Sequence, residues 1–392
     1  MEITCPGGAP SSTRRLFFAA VITVNALAAS CAAPIDIQAE ESSELDEAIP
    51  SGEIFVVPPG IETDVPQGDI GTSDLPNFEL SEQNPVFLPG DETAWDREGV
   101  HPGVVIFHDG LFHMFYNGHP ERGQFEVGYA VSIDGITWNR LRDEPILTRG
   151  QIDAAMTGLT VSSILVDDDG TWVMYVSMWN VDVYGQILRT GIYRASAPEP
   201  LGPWISDGEK LLSPGMTGDW DSDWIAHPEV VETADGYRMY FTGVNNRGES
   251  AIGMATSSDG ITWKKYNDPE TTNRRYANSD AIFTMGESET WDEAGVRYPQ
   301  IVRQGERWAM MYIGYEYSGP ARWTPRVGYA TSLDGIHWER SPNNPVFDPE
   351  INLPRYEIMG FEWLSMDTFE FLYFNNSADL VTTEIYLATA DR

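Results

Sequence analysis

From residue 84 onward the chain alternates apolar and polar positions in short runs separated by Asp-Gly and other turn residues. The first set of runs covers 103–107, 111–116, 126–131 and 137–139. Alternation with period two predicts β-strands with one face buried, and Asp-Gly between such runs predicts hairpins.

The runs come in repeated sets. One phrase occurs five times, at 84–90, 144–150, 209–215, 280–286 and 344–350, with spacings of 60, 65, 71 and 64 residues. A second phrase, Ser-x-Asp-Gly-Ile-x-Trp, occurs at 132–138, 257–263 and 332–338, and 196–204 replaces it in the remaining unit. A third places Met four residues before a turn position, from Met114, Met174, Met239 and Met310, with Phe371 taken as the counterpart in the last unit. Five units of four strands predict an all-β fold, a five-bladed β-propeller with four-stranded antiparallel blades. The last unit is one strand short, so an N-terminal strand should complete it. Within the second phrase, Asp supports the turn, Gly takes positive φ and Trp packs between blades, a structural reading. The Met phrase reads as core packing, and 167–170, with three aspartates before a glycine, as a hairpin turn.

The N-terminal part is organised differently. Residues 1–30 carry Arg14 and Arg15, a short apolar run and then small residues up to Ser30, the pattern of an export signal. Cys31 follows Leu27-Ala-Ala-Ser30, which resembles a bacterial lipobox, so Cys31 is the expected lipidation site. An ordinary secretory signal cut near Ala33 is the alternative. Residues 31–75 are expected to be an acidic linker, since 36–83 hold 13 acidic residues and no basic one. Residues 76–392 are expected to form the propeller. The other cysteine, Cys5, lies in the signal, so the exported domain would have neither disulfide nor thiol chemistry. The expected location is the bacterial cell envelope, as a lipoprotein, or the periplasm or exterior. Membrane association is expected only through the lipid on Cys31.

Charge narrows the partners. The 392 residues include 24 Lys+Arg and 60 Asp+Glu, a formal net charge of −36. Such a surface repels phosphate backbones, which excludes nucleic acid. With 42% apolar and 12% aromatic residues, the chain can bury a large core. A monomer is expected.

The repeats over 84–390 resemble the five-bladed glycosidase superfamily, which includes glycoside hydrolase families 43, 32, 62 and 68 and the mannoside phosphorylases of family 130. The resemblance implies a funnel at the mouth of a central channel, with chemistry at the starts of the innermost strands and a carbohydrate substrate. Those starts are expected at His101-Pro102, 160–163, His227-Pro228, Tyr298-Pro299 and 357–360. The chain departs from family 43 there: His101 replaces its base Asp, Thr160 or a neighbour its second Asp, and Ala226 its acid Glu.

Glycosidic cleavage needs a proton donor and an opposing carboxylate. The resemblance offers His227 as a donor, with Asp96, Asp223 or Glu229 as its carboxylate partner. Glu229 lies two residues after His227, so the two are expected on one strand face. His101, Trp224, Arg297, Tyr298 and Glu357 are the candidate substrate-binding residues. Trp-Asp pairs at 95/96, 220/221 and 291/292 recur in three units and read as loop anchors, leaving Asp223 and Trp224 as departures from the repeat. No cofactor is required, although relatives carry calcium near the channel, and the metal ligands, if any, are unknown. Two functional readings follow: an exported glycoside hydrolase-like protein acting on oligo- or polysaccharides, or an inactive propeller that binds glycan or protein at the cell surface. A phosphorylase, with Arg297 and Arg303 as the nearest phosphate ligands, ranks below both.

Overall fold

The computed structural model describes residues 75–121, 124–181, 187–317, 323–348, 360–377 and 382–391. The signal segment, Cys31, most of the linker and Glu357 lie outside them. Strand β1 (Glu79–Leu80) comes first. Blade 1 is β2 (Val100–His108), β3 (Leu111–Gly118), β4 (Glu126–Ser132) and β5 (Asn139–Arg140). Blade 2 is β6 (Gly158–Val166), β7 (Trp172–Val181), β8 (Ile187–Ala197) and β9 (Ile205–Ser206). Blade 3 is β10 (Trp224–Thr233), β11 (Gly236–Val244), β12 (Ser250–Ser257) and β13 (Lys264–Lys265), with β14 (Ala281–Phe283) also on β12. Blade 4 is β15 (Gly295–Gln304), β16 (Arg307–Tyr317), β17 (Trp323–Ser332) and β18 (Glu339–Arg340). Blade 5 is β19 (Phe361–Ser365), β20 (Phe369–Asn376) and β21 (Glu384–Asp391). Every paired strand in these sheets is antiparallel, and the five sheets form a five-bladed β-propeller, as the repeats predict.

Strand β1 pairs with β21, Glu79 opposite Thr389 and Leu80 opposite Ala388, and so supplies the missing fourth strand of blade 5. The N-terminal segment thereby covers part of the outer edge of β21. The five-fold phrase has one structural job. Phe87, Leu147, Leu212, Phe283 and Phe347 pair with Ile385, Val127, Ile192, Ile252 and Val327, in each case on the third strand of a blade. The Met phrase is buried core, but strand register corrects its last member. Met114, Met174, Met239 and Met310 oppose Val105, Ile164, Val230 and Ile301, and Leu372, not Phe371, takes that place opposite Trp363.

The Ser-x-Asp-Gly turn holds adjacent blades together. Asp134, Asp259 and Asp334 each accept two backbone N–H groups of their own turn. The glycine carbonyl then accepts a tyrosine hydroxyl from the preceding blade: Tyr373 to Gly135 at 2.7 Å, Tyr175 to Gly260 at 3.1 Å and Tyr240 to Gly335 at 3.0 Å. Trp138, Trp263 and Trp338 meet the same tyrosines edge to face. The turn glycines need positive φ, +73°, +69° and +73°, and a Cβ there would strike the tyrosine oxygen. The three aspartates near Gly170 also behave as expected: Asp167–Thr171 closes the β6–β7 hairpin.

Candidate active site

The innermost strands β2, β6, β10, β15 and β19 present their unpaired edges to the channel axis. Backbone N–H groups on such an edge need acceptors. At the mouth, side chains of second strands supply them. Asn117 accepts from Val161 N at 2.8 Å, Ser177 from His227 N at 2.8 Å, Thr242 from Tyr298 N at 3.0 Å and Asn375 from Gly360 N at 3.0 Å. Farther down, the inner strands serve one another. Ser163 accepts from Val230 N at 3.0 Å and Glu362 from Val105 N at 3.1 Å, while the Ile301 N–H lies toward Glu229 and favours its charged form.

Ser163 shows that a small neutral side chain suffices for this task. Carboxyls there are costly, because burial disfavours their charged form. Burial pushes Glu229 well above the usual carboxylate range, opposed by the Ile301 N–H. Burial does the same to Glu362, and the negative charge of Glu229 adds to it. Both carboxyls are thus shifted toward their protonated forms, and their titrations are coupled. Glu362 is 5% exposed, and its second oxygen has no protein partner among the described residues. Glu229 keeps part of its surface accessible.

Pro228 and Pro299 follow residues in the left-handed region, His227 at φ +54° and Tyr298 at φ +56°, where each inner strand bulges. The bulge overturns the simple alternation expected from sequence, so His227 and Glu229 are not on one continuous strand face. The His227 ring instead stacks on Tyr298 with centroids 3.5 Å apart, and its Nδ1 is 3.1 Å from the Thr242 hydroxyl. Burial first, and the Arg297 cation second, lower the His227 pKa to about 3. The imidazole is therefore neutral near pH 7 and does not suit the proton-donor role expected of it. Burial likewise raises the Tyr298 hydroxyl above its ordinary range, so it stays protonated.

Around this stack, Arg297 lies with its guanidinium 5.1 Å from the Trp224 ring and 5.1 Å from Tyr315. His227, Trp224, Arg297 and Tyr298 thus meet at the mouth between blades 3 and 4. Asp223 is exposed immediately before Trp224, and partial burial raises its pKa. His101 lies apart, packed on His119 at 4.7 Å and on Phe125 between blades 1 and 2, and burial holds it well below the usual histidine range.

Asp96 does not join the site. It is buried and accepts from Arg140 on the outermost strand β5 at 2.9 Å. Asp292 does the same with Arg340 on β18 at 2.8 Å, and Asp221 with Lys265 on β13. The adjoining Trp95, Trp220 and Trp291 stack on Tyr116, Phe241 and Tyr312. All three Trp-Asp pairs are anchors.

Glu362 is the residue that sequence reasoning missed. Its one available signal was an acidic residue inside an apolar strand, Phe361-Glu-Trp-Leu364. Among the described residues, no group of three or more His, Cys, Asp or Glu is arranged to hold a metal ion, and no helix is long and apolar enough to cross a membrane.

A family model for the glycosyl hydrolases family 32 N-terminal domain matches residues 101–292. The fold is shared over most of the chain with solved glycoside hydrolases. A putative glycoside hydrolase from Parabacteroides distasonis superposes with a TM-score of 0.62 at 17% identity, over 82% of this chain and 98% of that one. The chain resembles the five-bladed β-propeller glycoside hydrolase superfamily. A structure from the GH130 family of mannoside phosphorylases, reported to contain glycoside hydrolases that target β-1,2 mannosidic linkages, superposes with a TM-score of 0.59 at 18% identity, over 81% of this chain and 95% of that one. In sequence, the chain is 34% identical over 98 residues to a 1,2-β-oligomannan phosphorylase of Thermoanaerobacter, covering 23% of this chain and 32% of that protein. The match thus spans about a third of that relative's length.

Proposed function

We propose that this chain is an exported glycoside hydrolase that cleaves glycosidic bonds of oligo- or polysaccharides at its channel mouth. One arrangement carries the reading: two carboxyls, Glu229 and Glu362, are set on the inner strands of blades 3 and 5, where burial pushes both toward the protonated form. A protonated carboxyl at neutral pH is what a leaving glycosidic oxygen requires. The proton belongs to the coupled pair, and Glu229, its more accessible member, is the one that meets the leaving oxygen. Asp223, exposed at the rim, is the carboxylate left for the base, since Asp96 is engaged by Arg140. Trp224 and Tyr298 offer apolar faces to a sugar ring, and neutral His227 accepts or donates a single hydrogen bond. Export and attachment to the envelope rest on residues 1–31 and the acidic linker.

The test is hydrolysis of β-1,2-mannan, arabinan, xylan and fructan oligosaccharides by the wild type, Glu229→Gln and Glu362→Gln. Sugar release lost in Glu229→Gln supports the reading. Release unchanged in both variants would move the chemistry elsewhere.

A phosphorylase is the second reading, favoured by the oligomannan phosphorylase relative and by the Arg297 cation at the mouth. Arg303 adds nothing to it, being exposed and bonded to the Gly305 carbonyl. Cleavage that requires inorganic phosphate would select this reading. Silence with every sugar, with binding retained, would select the inactive glycan-binding propeller.

A further inference from the structure

Among the described residues, the partly buried arginines other than Arg238 and Arg297 pair with carboxylates, and Arg238 bonds the Asp334 carbonyl instead. Arg140, Arg149, Arg326 and Arg340 pair with Asp96, Glu126, Asp348 and Asp292. Arg297 is different. It is partly buried, its guanidinium lies against Trp224 on one side and Tyr315 on another, and no carboxylate pairs with it among the described residues. Its Nε is buried without an acceptor. The neighbouring His227 is neutral, and Tyr298 and Tyr315 keep their protons.

A cation removed from water and left unpaired is unfavourable, and the cost is recovered when an anion arrives. In a protein of net charge −36, with 60 acidic residues available, the missing partner stands out. The two aromatic contacts hold the guanidinium while its remaining edge can receive an anionic group. The general negative field does not prevent this, because at physiological ionic strength charges are screened beyond about 8 Å whereas the ion pair forms at contact.

We propose that Arg297 is a subsite for an anion carried on the sugar, a uronate carboxylate or a sulfate ester, so that the substrate is an acidic glycan. The inference rests on the mouth being the glycan site. Trp224 supports a ring face beside the anion, and His227 and Tyr298, as neutral groups, add no competing charge. The acidic surface elsewhere weakens nonspecific adsorption of such polymers, so that recognition depends on the Arg297 cation.

The test is calorimetric binding to the Glu229→Gln protein, which separates binding from turnover. The probes are oligogalacturonides, their carboxyl-reduced counterparts, sulfated and desulfated carrageenan oligosaccharides, neutral β-1,2-mannooligosaccharides, and inorganic phosphate alone. The expected result is that one acidic series binds at least about tenfold more tightly than its neutral counterpart. That preference should be lost in Arg297→Met and partly kept in Arg297→Lys, with the Arg297→Met protein melting no lower than wild type, since it loses an unpaired buried cation. The carboxylate and sulfate arms identify which anion is read. Equal binding of acidic and neutral members, binding only of phosphate, no binding of any acidic probe, or a preference that survives Arg297→Met would overturn the proposal. Hydrolysis of neutral oligosaccharides by the wild type under the same conditions would leave the glycosidase reading intact while this inference failed.

Discussion

Glu229 and Glu362 reach the channel from the third and fifth blades, and the negative charge of the first pushes the carboxyl of the second further up. Each also lies toward an N–H of a following inner strand, Ile301 or Val105, where Ser163 shows that a neutral group is enough. Two acids in a place that needs none are the mark of a site adapted to something other than stability.

That cost can be measured. A carboxyl whose folded pKa is raised binds more protons folded than unfolded at neutral pH. Its destabilising effect is absent below the ordinary carboxylate value and grows as pH rises toward the folded value. Glu362→Gln keeps an acceptor for Val105 and removes the charge. It should melt higher than wild type at pH 8 and show little difference at pH 4, with about 2–4 °C for each kcal/mol relieved. A variant less stable at pH 8 than at pH 4, relative to wild type, would contradict the upward shift of the Glu362 carboxyl.

His227 gives the opposite sign. Its folded pKa, about 3, lies below the unfolded value, so its burial lowers stability progressively as pH falls below about 6.5. Nitrogen-detected imidazole NMR should find the ring neutral from pH 5 to pH 8. A midpoint near 6.5 would restore His227 as a proton donor.

The interblade tyrosines should behave alike despite their different sequence contexts. Tyr175→Phe, Tyr240→Phe and Tyr373→Phe each remove one bond to a turn carbonyl and should each cost about 1 kcal/mol in denaturant unfolding. Gly335→Ala should cost about 1–3 kcal/mol, because φ is +73° and its Cβ would lie 2.6 Å from the Tyr240 oxygen.

The Trp-Asp anchors should be costly to break. Asp292→Ala leaves Arg340 and Tyr312 without their buried acceptor and should lose about 3 kcal/mol, read as a lower denaturant midpoint. A loss this large would come from the anchor and not from the channel mouth.

Closure of the ring should depend on the N-terminal segment. Phe78 is buried and meets Phe347 at 6.3 Å, next to the β1–β21 pairing. Phe78→Ala should cost about 3 kcal/mol and expose blade 5 first to hydrogen exchange.

Much of this fold was legible along the chain because each blade restates the same phrases. Ser-x-Asp-Gly turns, the buried Met row and the Trp-Asp anchors are local patterns whose roles follow from nearby backbone chemistry. Where the reading slipped, long-range geometry intervened. Phe371 was placed one residue out of register with Leu372, since only pairing with Trp363 fixes it. His227 and Glu229 were expected on one face, but the bulge at Pro228 reorients them. Asp96 looked available until Arg140, 44 residues on, occupied it.

The sequence by itself determined the repeat number, the antiparallel blades and an N-terminal closing strand, because period-two burial and turn chemistry are local and additive. Only the tertiary structure decided which acids come near enough to influence one another. Glu229 and Glu362 sit in different units, and a carboxyl's proton affinity depends on desolvation and on charges brought near by folding, quantities that no neighbouring residue in the chain encodes.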